Sequence, residues 1–224
     1  MQILCHRGWW SEPGGRNGEP AISRAITAGL GVETDLRDHR GEVVVSHDPP
    51  TSQIGLLNLD DLLKLVDVHG ERGPERGDHA RGTVLALNVK ADGLAAPVSA
   101  ALASACTDSA LDAFVFDMSV PDLRAWIRRG VPVFTRHSDL EPSPVLYEQA
   151  AGVWLDDFGF RPWWTARTVT THLCAGKRVA IVSPELHGRD HRPIWDLILD
   201  ADLHHDPSVM LCTDLPGAAL QAFR

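Results

Sequence analysis

Eight short apolar runs, most of them rich in β-branched residues, punctuate the chain: Gln2–Cys5, Gly31–Leu36, Thr83–Val89, Ala113–Met118, Val131–Thr135, Gly152–Leu155, Arg178–Val182 and Val209–Cys212. Between and after them, apolar positions recur with helical spacing over Pro20–Ala28, Leu59–Val66, Leu94–Ala105, Val120–Arg129, Pro144–Gln149, Trp163–Ala175, Pro193–Ala201 and Gly217–Phe223. Alternating strand and helix signals of this kind are the pattern of βα units around a parallel sheet. Start and stop residues agree: Ser119 and Pro121 precede Leu123, and Gly130 closes the helix before Val131. Eight such units predict an α/β protein, a single (β/α)8 barrel spanning residues 1–224 with no second domain. The rhythm breaks once. In "LRDHRGEVVVSHDPP", Gly41 sits between two extended pieces, which predicts a β-hairpin insertion after the second strand. The Gly- and charge-rich stretch Val68–Gly82 predicts a mobile surface loop rather than a domain linker.

Composition narrows the function classes. Of 224 residues, 44% are hydrophobic and 23% charged, ordinary for a globular chain. The net charge of -9, with no Lys/Arg cluster, argues against a nucleic-acid partner. An acidic protein still binds a phosphate where Arg, Lys or a metal reverses the field locally. Cys5, Cys106, Cys174 and Cys212 are scattered without a CxxC spacing, so they read as reduced thiols with no zinc site. Only two residues precede Ile3, leaving no room for a leader, and no apolar run approaches the roughly 20 residues needed to cross a bilayer. The expectation is a cytoplasmic protein without integral membrane association, its oligomeric state open.

Candidate chemistry lies where the predicted strands stop. The first run, Ile3-Leu4-Cys5, ends at His6-Arg7-Gly8, and catalytic groups of such barrels stand at strand C-termini. Other runs end in Glu33 and Asp35, Asn88 and Lys90, Asp117, Arg136, Asp156, Ser183 and Glu185, and Asp214. Side chains alternate along a strand, so Glu33 and Asp35 share one face, and Ala86, Asn88 and Lys90 share another. Two carboxylates on one inward face repel unless a cation sits between them, and an all-oxygen set suits a hard ion such as Mg²⁺ or Ca²⁺.

"CHRGWW", "GRNGEPAI" and "GVETDLRDHRGEVVVSHD" together resemble the amino-terminal signature of the glycerophosphodiester phosphodiesterase family, and "LCTDLP" is similar to its final-strand motif. The likeness touches the first, second, third and eighth strands; the fourth to seventh diverge. It implies a metal-dependent phosphodiesterase whose partner is a small phosphodiester. His6 and His47 would be the general acid/base pair, Arg7 and Lys90 would bind phosphate, and Glu33 with Asp35 would hold one divalent cation, Mg²⁺ or Ca²⁺. In the family a Glu completes the metal set where this chain has Asn88. An amide oxygen still coordinates a hard ion but removes one negative charge, which implies weaker binding or a compensating acid such as Asp117 or Glu185. The motif after the first strand keeps Asn17 but has Arg16 in place of an acid.

Two other readings stand beside hydrolysis: cyclisation by a substrate hydroxyl, as in sphingomyelinase D-type lyases, and phosphate binding without catalysis. The two histidines argue against the latter, because a binder needs no proton shuttle. An HxH zinc hydrolase is excluded by the absence of HxH at the first strand end. His39, His137, His187, His204 and His205 read as surface or loop residues, Asp156 and Asp214 as N-caps, and Arg136 as a partner of one of those acids or of phosphate. Trp9, Trp10, Trp154, Trp163 and Trp164 read either as core or as walls of a substrate pocket.

Overall fold

Each predicted run becomes a strand in the computed structural model, which describes residues 1–52, 55–70, 82–105, 111–159 and 163–223. The strands are β1 (Gln2–His6), β2 (Gly31–His39), β3 (Glu42–Val45), β4 (Thr83–Val89), β5 (Leu111–Phe116), β6 (Phe134–His137), β7 (Gly152–Leu155), β8 (Arg178–Val182) and β9 (Val209–Thr213). The helices are α1 (Glu19–Thr27), α2 (Leu59–Gly70), α3 (Ala95–Ala105), α4 (Val120–Arg128), α5 (Ala166–Cys174), α6 (Arg192–Asp200) and α7 (Pro216–Ala222). None among the described residues is long and apolar enough to cross a membrane.

The chain divides into two compact units, Cys5–Pro132 and Met1–Leu4 with Val133–Arg224. In the first, the strands lie in the order β5-β4-β2, with β4 parallel to both β2 and β5. All seven residues of β4 are buried, the mark of a parallel strand covered on both faces. The register pairs Glu33 with Ala86 and Asp35 with Asn88, so the polar residues of β2 and β4 come level at one end. The expected hairpin is present. β2 runs on to His39 and turns through Arg40 (φ 51°) and Gly41 (φ 86°) into antiparallel β3. Two successive positive φ angles match the twist of the flanking strands.

In the second unit the order is β9-β8-β7-β6, each neighbouring pair parallel. Gly152 opens β7 beneath the Phe134 ring, where an added Cβ would fall 2.4 Å from the ring and force the packing apart. Helix α4 shows the expected punctuation: Ser119 Oγ accepts from Asp122 N at 3.4 Å, and Gly130 (φ 72°) follows its C-terminus.

Four expectations need correction. Pro144–Gln149 forms no α-helix. Leu146 takes a left-handed conformation (φ 51°) and only a 3₁₀ turn, Tyr147–Gln149, follows, because Pro142 and Pro144 each remove a backbone donor from so short a stretch. The strand expected from Val131 begins at Phe134, after Pro132. Asp156 and Asp214 are not the N-caps of α5 and α7, positions that belong to Thr165 and Leu215. Val68–Gly70, assigned to a loop, complete α2; the rest of that expected loop, 71–81, lies outside the described residues, as does Cys106.

Candidate active site

Within the Cys5–Pro132 unit, the ends of β1, β2, β4 and β5 present a knot of ionic groups. β1 stops at His6 because the backbone reverses handedness: Arg7 (φ 57°) and Gly8 (φ 87°) are both left-handed. Gly8 also abuts α1, where a Cβ would meet Ala21 C at 2.8 Å and Ile22 N at 2.9 Å. A left-handed arginine is strained, and such strain persists where the surroundings over-determine it. Here they do. Arg7 N donates to Glu33 O at 2.8 Å, and Arg7 Nε lies 2.9 Å from Asp35 Oδ2. The turn thus lets His6 and Arg7, neighbours on a strand, both serve one site.

Asp35 is the hub. It is fully buried, paired with Arg7 and with Lys90 Nζ at 3.5 Å, and it accepts from Asn17 Nδ2 at 2.8 Å. Asn17 (φ 60°) in turn accepts from Thr34 Oγ1 at 2.8 Å, which locks its amide orientation. Lys90 also reaches Asp117 Oδ2 at 3.5 Å, and Asp117 (φ 73°) is the third left-handed side-chain-bearing residue of the cluster. Glu33, equally buried, lies 3.9 Å from His6 Nε2 and accepts from Asn88 Nδ2 at 3.2 Å. Burial pushes the Glu33 carboxyl above the ordinary glutamate range; His6 pulls against this, and Asp35 adds to it. Cys5, just before His6, is buried with its thiol pushed up to about 12, so it is inert.

His47 follows the hairpin. Ser46 N donates to Asp35 O at 3.0 Å, which returns the chain to the level of Asp35. Its ring is half-exposed, and Nδ1 lies 2.9 Å from Asp48 Oδ1. A carboxylate on one ring nitrogen leaves the other facing outward. The main-chain oxygen of His47 accepts from Arg37 at 3.0 Å.

The donor set fits a hard divalent ion. Asn88 Oδ1 and Asp35 Oδ1 are buried without a hydrogen-bond partner, and such oxygens beside the Glu33 carboxyl suit a hard cation. Asp35 does not depend on an added ion for its charge balance, however, because Arg7 and Lys90 already supply opposite charge to it. Asn88 turns its amide nitrogen, not its oxygen, toward Glu33, so coordination through Oδ1 requires the amide to rotate.

The second unit holds its own polar cluster at strand ends. His187 Nε2 meets Asp156 Oδ1 at 2.7 Å, and Arg189 binds Asp157 at 2.8 Å. Glu185 is engaged by the Ser183 and Thr213 hydroxyls and by Asp214 N. Arg136 pairs with Glu141 at 3.4 Å and covers Phe158. His137, expected at the surface, bonds the ring of His172 at 2.9 Å, and His172 bonds Tyr147 Oη at 2.8 Å. Trp154 and Trp164 are core; Trp10 is tied to His6 O at 3.0 Å and lies under Arg16.

No family model and no curated protein matches this chain. Solved structures do. A glycerophosphodiester phosphodiesterase from Parabacteroides distasonis ATCC 8503 aligns over 99% of this chain and 96% of its own at 15% identity, with a TM-score of 0.67. A candidate glycerophosphodiester phosphodiesterase from Galdieria sulphuraria aligns over 99% and 97% at 18% identity, TM-score 0.69. A candidate glycerophosphoryl diester phosphodiesterase from Silicibacter pomeroyi DSS-3 aligns over 100% and 92% at 15% identity, TM-score 0.68. The likeness establishes the fold, a (β/α)8 barrel with alternating parallel strands and helices.

Proposed function

We propose that the protein is a phosphoric diester hydrolase of the glycerophosphodiester phosphodiesterase type, acting on a small glycerophosphodiester. One observation carries the reading: an imidazole, a strained arginine, a lysine and two buried carboxylates converge at strand ends of one unit, linked through Asp35. The structural neighbours, all named for this activity, agree with it.

The residues divide the work. Arg7 pairs with Asp35 through Nε, which leaves its two terminal amines to present a planar fork to two phosphate oxygens. Lys90 adds a second positive charge on the same side of Asp35. His6 and His47 move the protons, one accepting from the attacking water and the other donating to the leaving oxygen; Asp48 orients His47 and Glu33 faces His6. Glu33, Asp35 and Asn88 would hold Mg²⁺ or Ca²⁺, which when bound would offset charge on the phosphate and leaving oxygen.

The test is incubation of the purified protein with glycerophosphocholine and related diesters, with Mg²⁺, Ca²⁺ or EDTA. Release of glycerol phosphate or its partner alcohol, lost in His6→Ala, supports the proposal. A cyclic phosphate product would mean that a substrate hydroxyl attacks in place of water, and no turnover of any diester under any ion would overturn the reading.

A further inference from the structure

The segment "LDADLHHD", residues 199–206, joins α6 to β9 and takes no part in the chemistry above. α6 ends at Asp200, Asp202 turns left-handed (φ 54°), and Leu203–His205 make one 3₁₀ turn. Leu203 plugs into the core at 4% exposure, so the turn is anchored by its middle while Asp202 and His205 stay exposed. One ligand atom from each of Asp202, His204 and His205 lies within 4.8 Å of the others. The two imidazoles sit with centroids 3.9 Å apart. His204 Nδ1 is buried and has no hydrogen-bond partner, which in a folded protein calls for an explanation.

We propose that Asp202, His204 and His205 form a site for a borderline divalent transition ion: Zn²⁺, Ni²⁺ or Cu²⁺. Two imidazole nitrogens and one carboxylate oxygen match the preference of these ions and not that of Mg²⁺ or Ca²⁺. Bonds of roughly 2.0–2.2 Å require the three atoms to close to about 3.3 Å of one another. The exposed side chains of Asp202 and His205 supply that movement without disturbing the core. Asp206 stays outside the set, because its Oδ1 accepts from Ser208 N at 2.7 Å. Three protein ligands leave at least one position for water. The site has a structural consequence, since the carbonyl of His204 accepts from the Met1 ammonium at 2.7 Å. An ion on this turn fastens the residue that holds the amino terminus.

The test titrates Ni²⁺ into the full chain at pH 7.5 with excess Mg²⁺ to saturate any oxygen-ligand site, in a Cys174→Ser background because that thiol is exposed. The expected result is one Ni²⁺ per chain, a raised melting temperature, and two-imidazole nitrogen coupling in the spectrum of bound Cu²⁺. His205→Gln should weaken Ni²⁺ binding by at least about tenfold and reduce the coupling to one nitrogen. Asp202→Asn keeps a residue that tolerates the left-handed backbone, so its weaker binding reports the lost carboxylate and not misfolding. Unchanged Ni²⁺ affinity in both variants, no Ni²⁺ bound by the parent protein, or loss of binding in His6→Ala instead would overturn the proposal.

Discussion

Glu33 and Asp35 are two residues apart on one strand, both buried, yet only the neutralisation of Asp35 should lower stability. Asp35 is the counter-ion of Arg7 and Lys90, at 2.9 and 3.5 Å, and the acceptor of Asn17. Asp35→Asn removes the charge and keeps the shape, leaving two cations facing an amide. Breaking a buried pair by deleting one partner costs roughly 3–5 kcal/mol, and because Arg7 and Lys90 retain some exposure the lower end, about 3 kcal/mol, applies. For a chain of this size that corresponds to a melting temperature lower by roughly 6–12 °C. Glu33 is the reverse case, since burial and the adjacent Asp35 raise its pKa. The folded state then binds its proton more tightly than the unfolded chain, so stability falls as pH rises from the unfolded value toward the folded one. At neutral pH, without added ions, Glu33→Gln removes that penalty and should leave melting temperature unchanged or raised, while activity is lost. Thermal scans of both variants and the parent at several pH values, in EDTA, measure this. If Glu33→Gln destabilises as much as Asp35→Asn, or Asp35→Asn melts with the parent, the charge assignment of the site is wrong.

Further outcomes follow from the same geometry. Arg7→Ala should raise the Michaelis constant for a diester and lower turnover, whereas His6→Ala should cut turnover by roughly 10²–10⁴-fold at little cost in binding; steady-state kinetics separate the two. Gly8→Ala should cost about 2–4 kcal/mol in urea denaturation, since it combines a left-handed φ with a clash against α1 backbone; a loss below about 0.5 kcal/mol would mean the approach to Ala21 is looser than described. Burial holds His172 at about 4, with His137 adding to the effect, so the unfolded chain binds its proton first as pH falls. Stability should therefore drop between pH 6.5 and 4 by no more than about 3 kcal/mol, and His172→Gln should flatten that slope in thermal scans.

How much of this was legible in the sequence depends on whether periodicity or hydrogen bonding decides the feature. The shared face of Glu33 and Asp35 follows from period two alone, and the hairpin from Gly41 between extended runs. The stop at His6 was visible as an apolar run ending in two cations. What was not visible is that Arg7 itself adopts the left-handed turn. A sequence flags Gly8 for that role, and only the contacts to Glu33 and Asp35 make an arginine take it. Asn17 stands in the sequence as a retained motif residue, but its link between Thr34 and Asp35 depends on a loop conformation no spacing encodes. The ring contacts of His137, His172 and Tyr147 join a strand end, a helix and a 3₁₀ turn far apart in sequence. Polar residues on three such elements carry no common period, so nothing in the sequence marks His137 as other than a surface residue or joins it to His172 and Tyr147.

Asn88, where the resemblance to the family would place a glutamate, acquires a physical sense once the charges are placed. At the strand ends three carboxylates, Glu33, Asp35 and Asp117, face two permanent cations, Arg7 and Lys90. A glutamate at position 88 would add a fourth carboxylate beside Glu33, whose ionisation burial already opposes. The amide instead donates to Glu33 Oε1 and stabilises its ionised form without adding charge. With a divalent cation and one phosphodiester anion added, such a site comes to formal neutrality, the cheapest condition for a buried cluster. A glutamate there would leave it one unit negative, repelling the diester anion of the proposed reaction. Asn88→Glu should then tighten Mg²⁺ binding and weaken the diester, whereas Asn88→Ala, which strips the donor from Glu33, should weaken Mg²⁺ binding. Calorimetric titration of both variants distinguishes these effects. Tighter binding of both ion and diester by Asn88→Glu would show that charge balance is not what selects the amide.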